Sequence, residues 1–225
     1  MASASKGVII EFDFAVLDGA ELLFDVACRH LKAVDGIGLD MQIEAKYLAG
    51  RSYEDGLARY FPVVKTKKTA RKAGRDLGAA FASAVSEAVA VPTAIPTAFR
   101  NFVTLLASKG VKVVICTRAA PEPAAAAFAS MLVENVSLYR EVSQFYGCPS
   151  WDSWRRACMA NDIARANAIA VTGSGQGVKS ALLAGMASMA VMKERVAFQD
   201  FTGASIVAKN LSAASAKQLL EFLRV

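Results

Sequence analysis

Short, wholly apolar runs alternate along this chain with longer segments in which apolar residues return every three or four positions. The first kind predicts buried strands and the second amphipathic helices. KGVIIEF reads as a strand, and ELLFDVACRHLKAV follows with apolar positions at helical spacing. From residue 40 to 90 only helical patterns occur: MQIEAKYLAG, SYEDGLARYF and a long stretch from Lys67 to Val89, closed by Pro92 and Pro96. TAFRNFVTLLASKG is a helix that ends in glycine. VKVVICT is a strand, apolar at every position before its threonine except Lys112. PEPAAAAFASMLVE reads as a helix, SLYREVSQFYG fits either element, and SWDSWRRACMAND is a helix. AIAVTGS and MASMAVM are strands, GVKSALLAGM between them is a helix, and SAASAKQLLEFLRV is the last helix. Continuous apolar strands that alternate with helices predict a parallel sheet covered on both faces. The expected fold is therefore α/β, a doubly wound parallel sheet formed by residues 1–18 and 93–225, with a helical cap inserted at 19–92.

Composition narrows the function classes. Of 225 residues, 54% are hydrophobic and 20% charged, enough apolar surface to exclude a wholly disordered chain. No apolar run reaches the ~18 residues of a membrane span, so none is expected. The four cysteines, Cys28, Cys116, Cys148 and Cys158, show no paired spacing, and His30 is the single histidine. That argues against a Cys/His zinc site and makes any Ser–His or Cys–His hydrolase depend on His30 alone. Free thiols and the lack of a signal-peptide pattern predict a cytoplasmic protein, or an organellar-matrix protein whose leader has been removed. The net charge of +6 and pI of about 9.2 tilt the chain toward an anionic partner.

In an open parallel sheet, ligands bind beyond the carboxyl ends of the strands. Four segments fall there: Glu11-Phe12-Asp13, Thr117-Arg118, the loop around Cys148, and Thr172-Gly173-Ser174. These segments carry a family resemblance. KGVIIEFDFAVLDGAELLF resembles, without a gap, the opening of the haloacid dehalogenase-like hydrolases, an apolar strand followed by Asp-x-Asp-Gly-x-x-x-Asp. GVKVVICTR is similar to that family's strand ending in Ser or Thr, and YGCPSWDSW to its Gly-Lys-Pro-x-x-Asp loop. AIAVTGSGQGVKSALLAGM resembles its acidic strand end with the glycine turn and Ala-Gly-Met helix. YLAGRSYEDGLARYF resembles the cap of the phosphoglycolate phosphatase and phosphoglucomutase branch, and GASIVAKNLSAASAKQLLEFL the usual tail. The pieces occur in order over nearly the whole chain.

The resemblance implies a phosphoryl-transfer site at Glu11, Asp13 and Thr117: nucleophile position, general acid/base, and the hydroxyl that holds the transferred group. It also marks departures. Glu11 stands where the family has aspartate, Phe14 where it has glycine, Cys148 where it has the lysine that neutralises the intermediate, and Thr172 and Gly173 where it has an acidic pair that helps hold magnesium. The extra methylene of Glu11 moves its carboxylate by about 1 Å, and a misplacement of that size can cost ~100-fold in rate. One lost charge-stabilising donor costs about 3–4 kcal/mol in the transition state. Mg²⁺ needs hard oxygen ligands that normally include one or two carboxylates. These losses fall on one interacting unit and do not add.

Other readings of the same residues stay open. With two residues deleted before Asp18, Asp13 becomes the nucleophile of an Asp-Phe-Ala motif similar to that of phosphonoacetaldehyde hydrolases; the ungapped register also matches Leu22 and Phe24. Glu11 is either an active nucleophile or a carboxylate satisfied by its surroundings. Asp13 and Thr117 are either catalytic or ties between strand ends, and Asp18 is as much a helix cap as a ligand. GSGQG at 173–177 is either a phosphate cradle or the ordinary turn into a helix, and it lacks the Lys-Ser/Thr of a P-loop. Lys65, Lys67, Lys68, Arg71, Lys72 and Arg75 lie within eleven residues without an intervening acid. They form either a solvated helix face or a site for an anionic partner, an RNA or an acidic protein. Trp151 and Trp154 read as core or interface anchors. The expectation that emerges is a catalytically impaired relative of these phosphatases that acts as a binding or structural component, alone or as a subunit of a larger assembly, with no cofactor. The alternative is a Mg²⁺-dependent phosphohydrolase of a small phosphorylated metabolite that uses Glu11, and a third reading is a phosphate binder that senses without cleaving. A pocket filled around Phe14 is the outcome expected of a structural role.

Overall fold

The computed structural model describes residues 5–36, 38–44, 67–91, 93–140 and 150–225. Its centre is a parallel sheet of β1 (Gly7–Glu11), β2 (Lys112–Thr117), β3 (Val136–Arg140), β4 (Ala168–Thr172), β5 (Ala187–Val191) and β6 (Ile206–Ala208). The strand order is β3-β2-β1-β4-β5-β6. Continuous apolar runs are what a strand with covered faces on both sides requires, and β1 and β4 are buried at every position.

Alternation along each strand divides the core into two. Val8 and Ile10 of β1, Val113 and Ile115 of β2, and Ile169 and Val171 of β4 face one cluster. It is completed by α4 (Thr97–Ser108) through Phe99, Phe102 and Leu106, and by α8 (Ala213–Leu223) through Leu219 and Leu223. Ile9, Val114, Ala168 and Ala170 face the other cluster, where Trp154, Ala157 and Cys158 of α6 (Trp151–Ala160) meet Ala181 of α7 (Gly175–Leu183). Helices thus cover both faces, and the sheet is doubly wound. The two tryptophans part company. Trp154 is buried and donates from Nε1 to Ser180 Oγ at 2.8 Å, whereas Trp151 is half-exposed beneath the Arg155 guanidinium.

Within the 19–92 segment, α2 (Gly19–Asp35) and α3 (Lys67–Val89) build a third cluster from Val26, Ala27, Leu31, Ala73, Leu77 and Ala84. The carboxyl half of α3 turns a second stripe, Phe81, Val85 and Val89, into the main core. The joint between β1 and α2 is pinned from outside. Lys193, just beyond β5, donates to the carbonyls of Val16 and Leu17 at 3.0 and 2.7 Å and to Asp18 Oδ1 at 2.8 Å. Asp18 is the residue before α2, but its carboxylate makes no capping bond and serves this clamp instead.

Three local expectations change. The first strand stops at Glu11, because Phe12 begins a one-turn helix, α1 (Phe12–Ala15), and buries its ring against Phe99 and Phe128. The helix expected over PEPAAAAFASMLVE is α5 (Pro121–Phe128), followed by a tighter turn over Ala129–Met131. SLYREVSQFYG contributes a strand through Arg140, and GASIVAKN supplies β6, an edge strand of three residues that no periodicity could announce. In MQIEAKYLAG a helical turn covers Met41–Ile43; SYEDGLARYF lies outside the described residues.

Candidate functional site

Adjacent parallel strands end together, which brings β1, β2 and β4 to one edge. Glu11 pairs in register with Cys116, and Ile10 with Val171, so Thr172 lies beside Glu11. The Thr172 hydroxyl is hydrogen-bonded to Glu11 Oε2. The turn at Phe12 then carries Asp13 across to the end of β2. There Thr117 Oγ1 donates to Asp13 Oδ1 at 2.7 Å, and Arg118 donates to Oδ2 from its backbone nitrogen at 2.9 Å and from Nη1 at 3.3 Å. The Ala119 amide donates to Thr117 Oγ1 at 3.1 Å, which directs the threonine proton toward Asp13. Glu11, Asp13, Thr117 and Thr172, expected from the sequence as one group, do come together.

The two carboxyl groups sit in different fields. Both are only 1% exposed. Burial pushes Glu11 from its ordinary 4.5 up to about 8; the Thr172 hydroxyl and the Arg118 charge oppose the rise, and the Asp13 charge adds to it. Glu11 is therefore mostly protonated at neutral pH, and its Oε1 has no hydrogen-bond partner among the described residues. Burial also raises Asp13, but the Arg118 charge and the Thr117 hydroxyl pull against it. Every group touching its two oxygens is a donor, which suits the charged form.

The site is roofed by its own chain. Phe14 packs on Phe81 of α3 with ring centroids 5.8 Å apart, and the Arg118 guanidinium lies over the same Phe81 ring at 5.8 Å. Phe14, Phe81 and Arg118 are all buried. A Cβ at Gly173 would overlap the carbonyl of Phe14, so α1 lies directly on the end of β4 and leaves no volume for an acidic side chain there. The GSGQG segment is likewise occupied from within. Ser174 Oγ accepts from the Gly177 amide at 3.0 Å, the Gly175 amide donates to Gln199 Oε1 at 2.8 Å, and a Cβ at Gly175 would overlap the Asp200 carbonyl. This is the turn into α7 rather than an open phosphate cradle.

A divalent ion does not fit the described residues. Three donors already hold the two oxygens of Asp13, Thr172 holds one oxygen of Glu11, and position 173 has no room for a carboxylate. A single unpaired, mostly protonated oxygen in a dry pocket is not an Mg²⁺ coordination shell. No cluster of three His, Cys, Asp or Glu residues able to hold a metal occurs among the described residues.

Other candidates lie elsewhere. Cys148 and Lys65 are outside the described residues. Lys67, Lys68 and Arg71 belong to the first turns of α3, Lys72 pairs with Asp76 at 2.8 Å one turn on, and Arg75 is exposed. His30 lies on α2 and its Nε2 makes no hydrogen bond, so no hydroxyl or thiol is activated by it among the described residues. No described helix is long and apolar enough to cross a membrane. Arg118 is the site residue that sequence reasoning underread. Its signal was a cation directly after the strand-end threonine, but its aim toward Asp13 and Phe81 depends on segments far apart in the chain.

No protein-family profile and no curated protein matches this sequence. Solved structures do match its fold. β-Phosphoglucomutase from Clostridium difficile superposes with a TM-score of 0.69 at 14% identity, covering 98% of this chain and 97% of that one. A variant of CbbY from Rhodobacter sphaeroides, solved with xylulose-1,5-bisphosphate, gives 0.67 at 15% identity over 93% and 96%. A haloacid dehalogenase-like hydrolase from Streptococcus pneumoniae gives 0.61 at 12% identity over 97% and 98%. The chain has the fold of these proteins, a haloacid dehalogenase-like α/β core.

Proposed function

We propose that this chain is a non-catalytic relative of the haloacid dehalogenase-like phosphatases, and that it works as a binding or structural component. One observation carries the reading: the strand-end residues that would meet a phosphate are sealed beneath Phe14, Phe81 and Arg118, with Glu11 and Asp13 each 1% exposed. A nucleophile that no solvent reaches and that stays mostly protonated at neutral pH is a poor one. The retained Thr117–Asp13 bond serves in this reading as a tie between β2 and the turn after β1. In this reading the basic run at 65–75 would meet an anionic partner, an RNA or an acidic protein.

The test is release of inorganic phosphate from an aryl phosphate and a panel of sugar phosphates, with Mg²⁺ added. The native protein is expected to match the buffer blank. Turnover that disappears in Asp13→Asn overturns the proposal in favour of a metal-dependent phosphohydrolase. Restoring the family's acidic residue at Gly173 is not a usable gain-of-function control, because the new side chain would strike the Phe14 backbone.

A further inference from the structure

Among the described residues the site has two buried carboxyl groups, no space for an acidic side chain at Gly173, and one cation. That cation is the Arg118 side chain, itself 5% exposed. It reaches Asp13 Oδ2 at 3.3 Å through Nη1, its own backbone nitrogen meets the same oxygen at 2.9 Å, and its guanidinium rests on Phe81. The contacts come from three directions: α1, the end of β2, and α3.

We infer that Arg118 is the resident cation of this site, a side chain that neutralises Asp13 in place of a metal ion, so that the folded chain neither needs nor admits one. The inference rests on the non-catalytic reading above and gives that reading a physical form. Charge balance supports it. The Arg118 charge opposes the rise that burial imposes on Asp13, and at Glu11, which no cation touches among the described residues, burial disfavours the charged form. A buried guanidinium with one carboxylate is tolerated only when both are paired, and removal of either partner leaves an uncompensated charge. The stack on Phe81 also ties the cap helix α3 to the strand ends, so the same residue closes the site it neutralises.

Thermal unfolding of the full chain tests this in two ways. The first compares native protein in EDTA with native protein in Mg²⁺ at tenfold the dissociation constant of a weak millimolar site, ionic strength matched. A real site at that occupancy raises the melting temperature of a chain this size by about 3–6 °C. No shift is expected, and a rise of that size overturns the inference. The second compares Arg118→Met with Arg118→Met/Asp13→Asn. The single variant is expected to melt roughly 10 °C lower than the native protein, and the double variant is expected to regain at least half of that loss. A double variant that melts no higher than the single one overturns the inference, since the Arg118 charge would then not be what Asp13 needs. If neither variant folds, the Mg²⁺ comparison decides.

The outcomes separate from those of the proposed function. Phosphate release that needs no Mg²⁺ sinks the non-catalytic reading and leaves the resident cation standing. Stabilisation by Mg²⁺ without turnover does the reverse.

Discussion

Two carboxyl groups leave the same end of β1, two residues apart, and meet opposite surroundings. Asp13 receives a hydroxyl, an amide and a guanidinium on its two oxygens. Glu11, equally buried, receives the Thr172 hydroxyl on one oxygen and nothing described on the other. Burial alone would raise both. What separates them is whether a full positive charge comes within hydrogen-bond distance, and only Asp13 has one. An ion pair in a dry site is strong only when the donors are already in place. The lesson is that the same end of one strand can hold one buried carboxyl group tied by a full positive charge and another left without it, depending on which neighbouring strand each side chain leans toward.

The sharpest way to break this comparison is Asp13→Ala. It leaves the Arg118 guanidinium buried without its carboxylate, and a loss of about 3–5 kcal/mol in unfolding free energy is expected. Urea denaturation measures it. A loss under about 1 kcal/mol, the size of an exposed pair, would mean that the pair is solvated and that the two carboxyl groups are alike.

Glu11→Gln probes the other side through pH. The folded protein holds the Glu11 proton up to about 8, whereas the unfolded chain releases it near 4.5. Between these values the folded state binds more protons, so this group's contribution to stability is full below the lower value, falls as pH rises, and is lost above the upper one. The fall amounts to roughly 3–5 kcal/mol. Glu11→Gln should flatten it. The slope across that window is the readout, because the glutamine amide adds an unpaired N–H of its own. An unchanged slope would place the raised proton affinity on another residue.

The smallest effect comes from the two threonines, and it compares them directly. Thr117→Val removes a hydrogen bond to a charged acceptor, about 1.5–3 kcal/mol, and Thr172→Val removes one to a mostly neutral acid, about 0.5–1.5 kcal/mol. Equal losses at neutral pH would erase the asymmetry. Raising the pH above the Glu11 transition should narrow the gap, since the Thr172 bond then serves a carboxylate.

Much of this was legible in the chain. The alternation of Val8, Ile9 and Ile10 between two faces is a period of two, and covered faces made every position apolar. The strand ends were therefore known, and with them Glu11, Asp13, Thr117 and Thr172. The short edge strand β6 was not, because three residues carry no pattern and its pairing with β5 is what makes it a strand. The role of Arg118 was hidden for a similar reason. Nothing near it in sequence shows that Asp13 and Phe81 will stand around it. The same holds for Gly173, which reads as a lost carboxylate in the sequence and proves to be a position where a Cβ would strike the Phe14 carbonyl of α1.

By itself the sequence determined the doubly wound sheet, the strand ends where chemistry would sit, and the departures from a phosphoryl-transfer set. The sheet and its strand ends follow from side-chain type and period, which act over a few residues, and the departures follow from the resemblance of the motifs to the haloacid dehalogenase-like family. Only the tertiary structure decided that both carboxyl groups are buried, and that a guanidinium and a hydroxyl reach Asp13 while Glu11 meets the Thr172 hydroxyl. Desolvation and charge pairing depend on which distant groups come within a few ångströms, and that is a property of the folded chain.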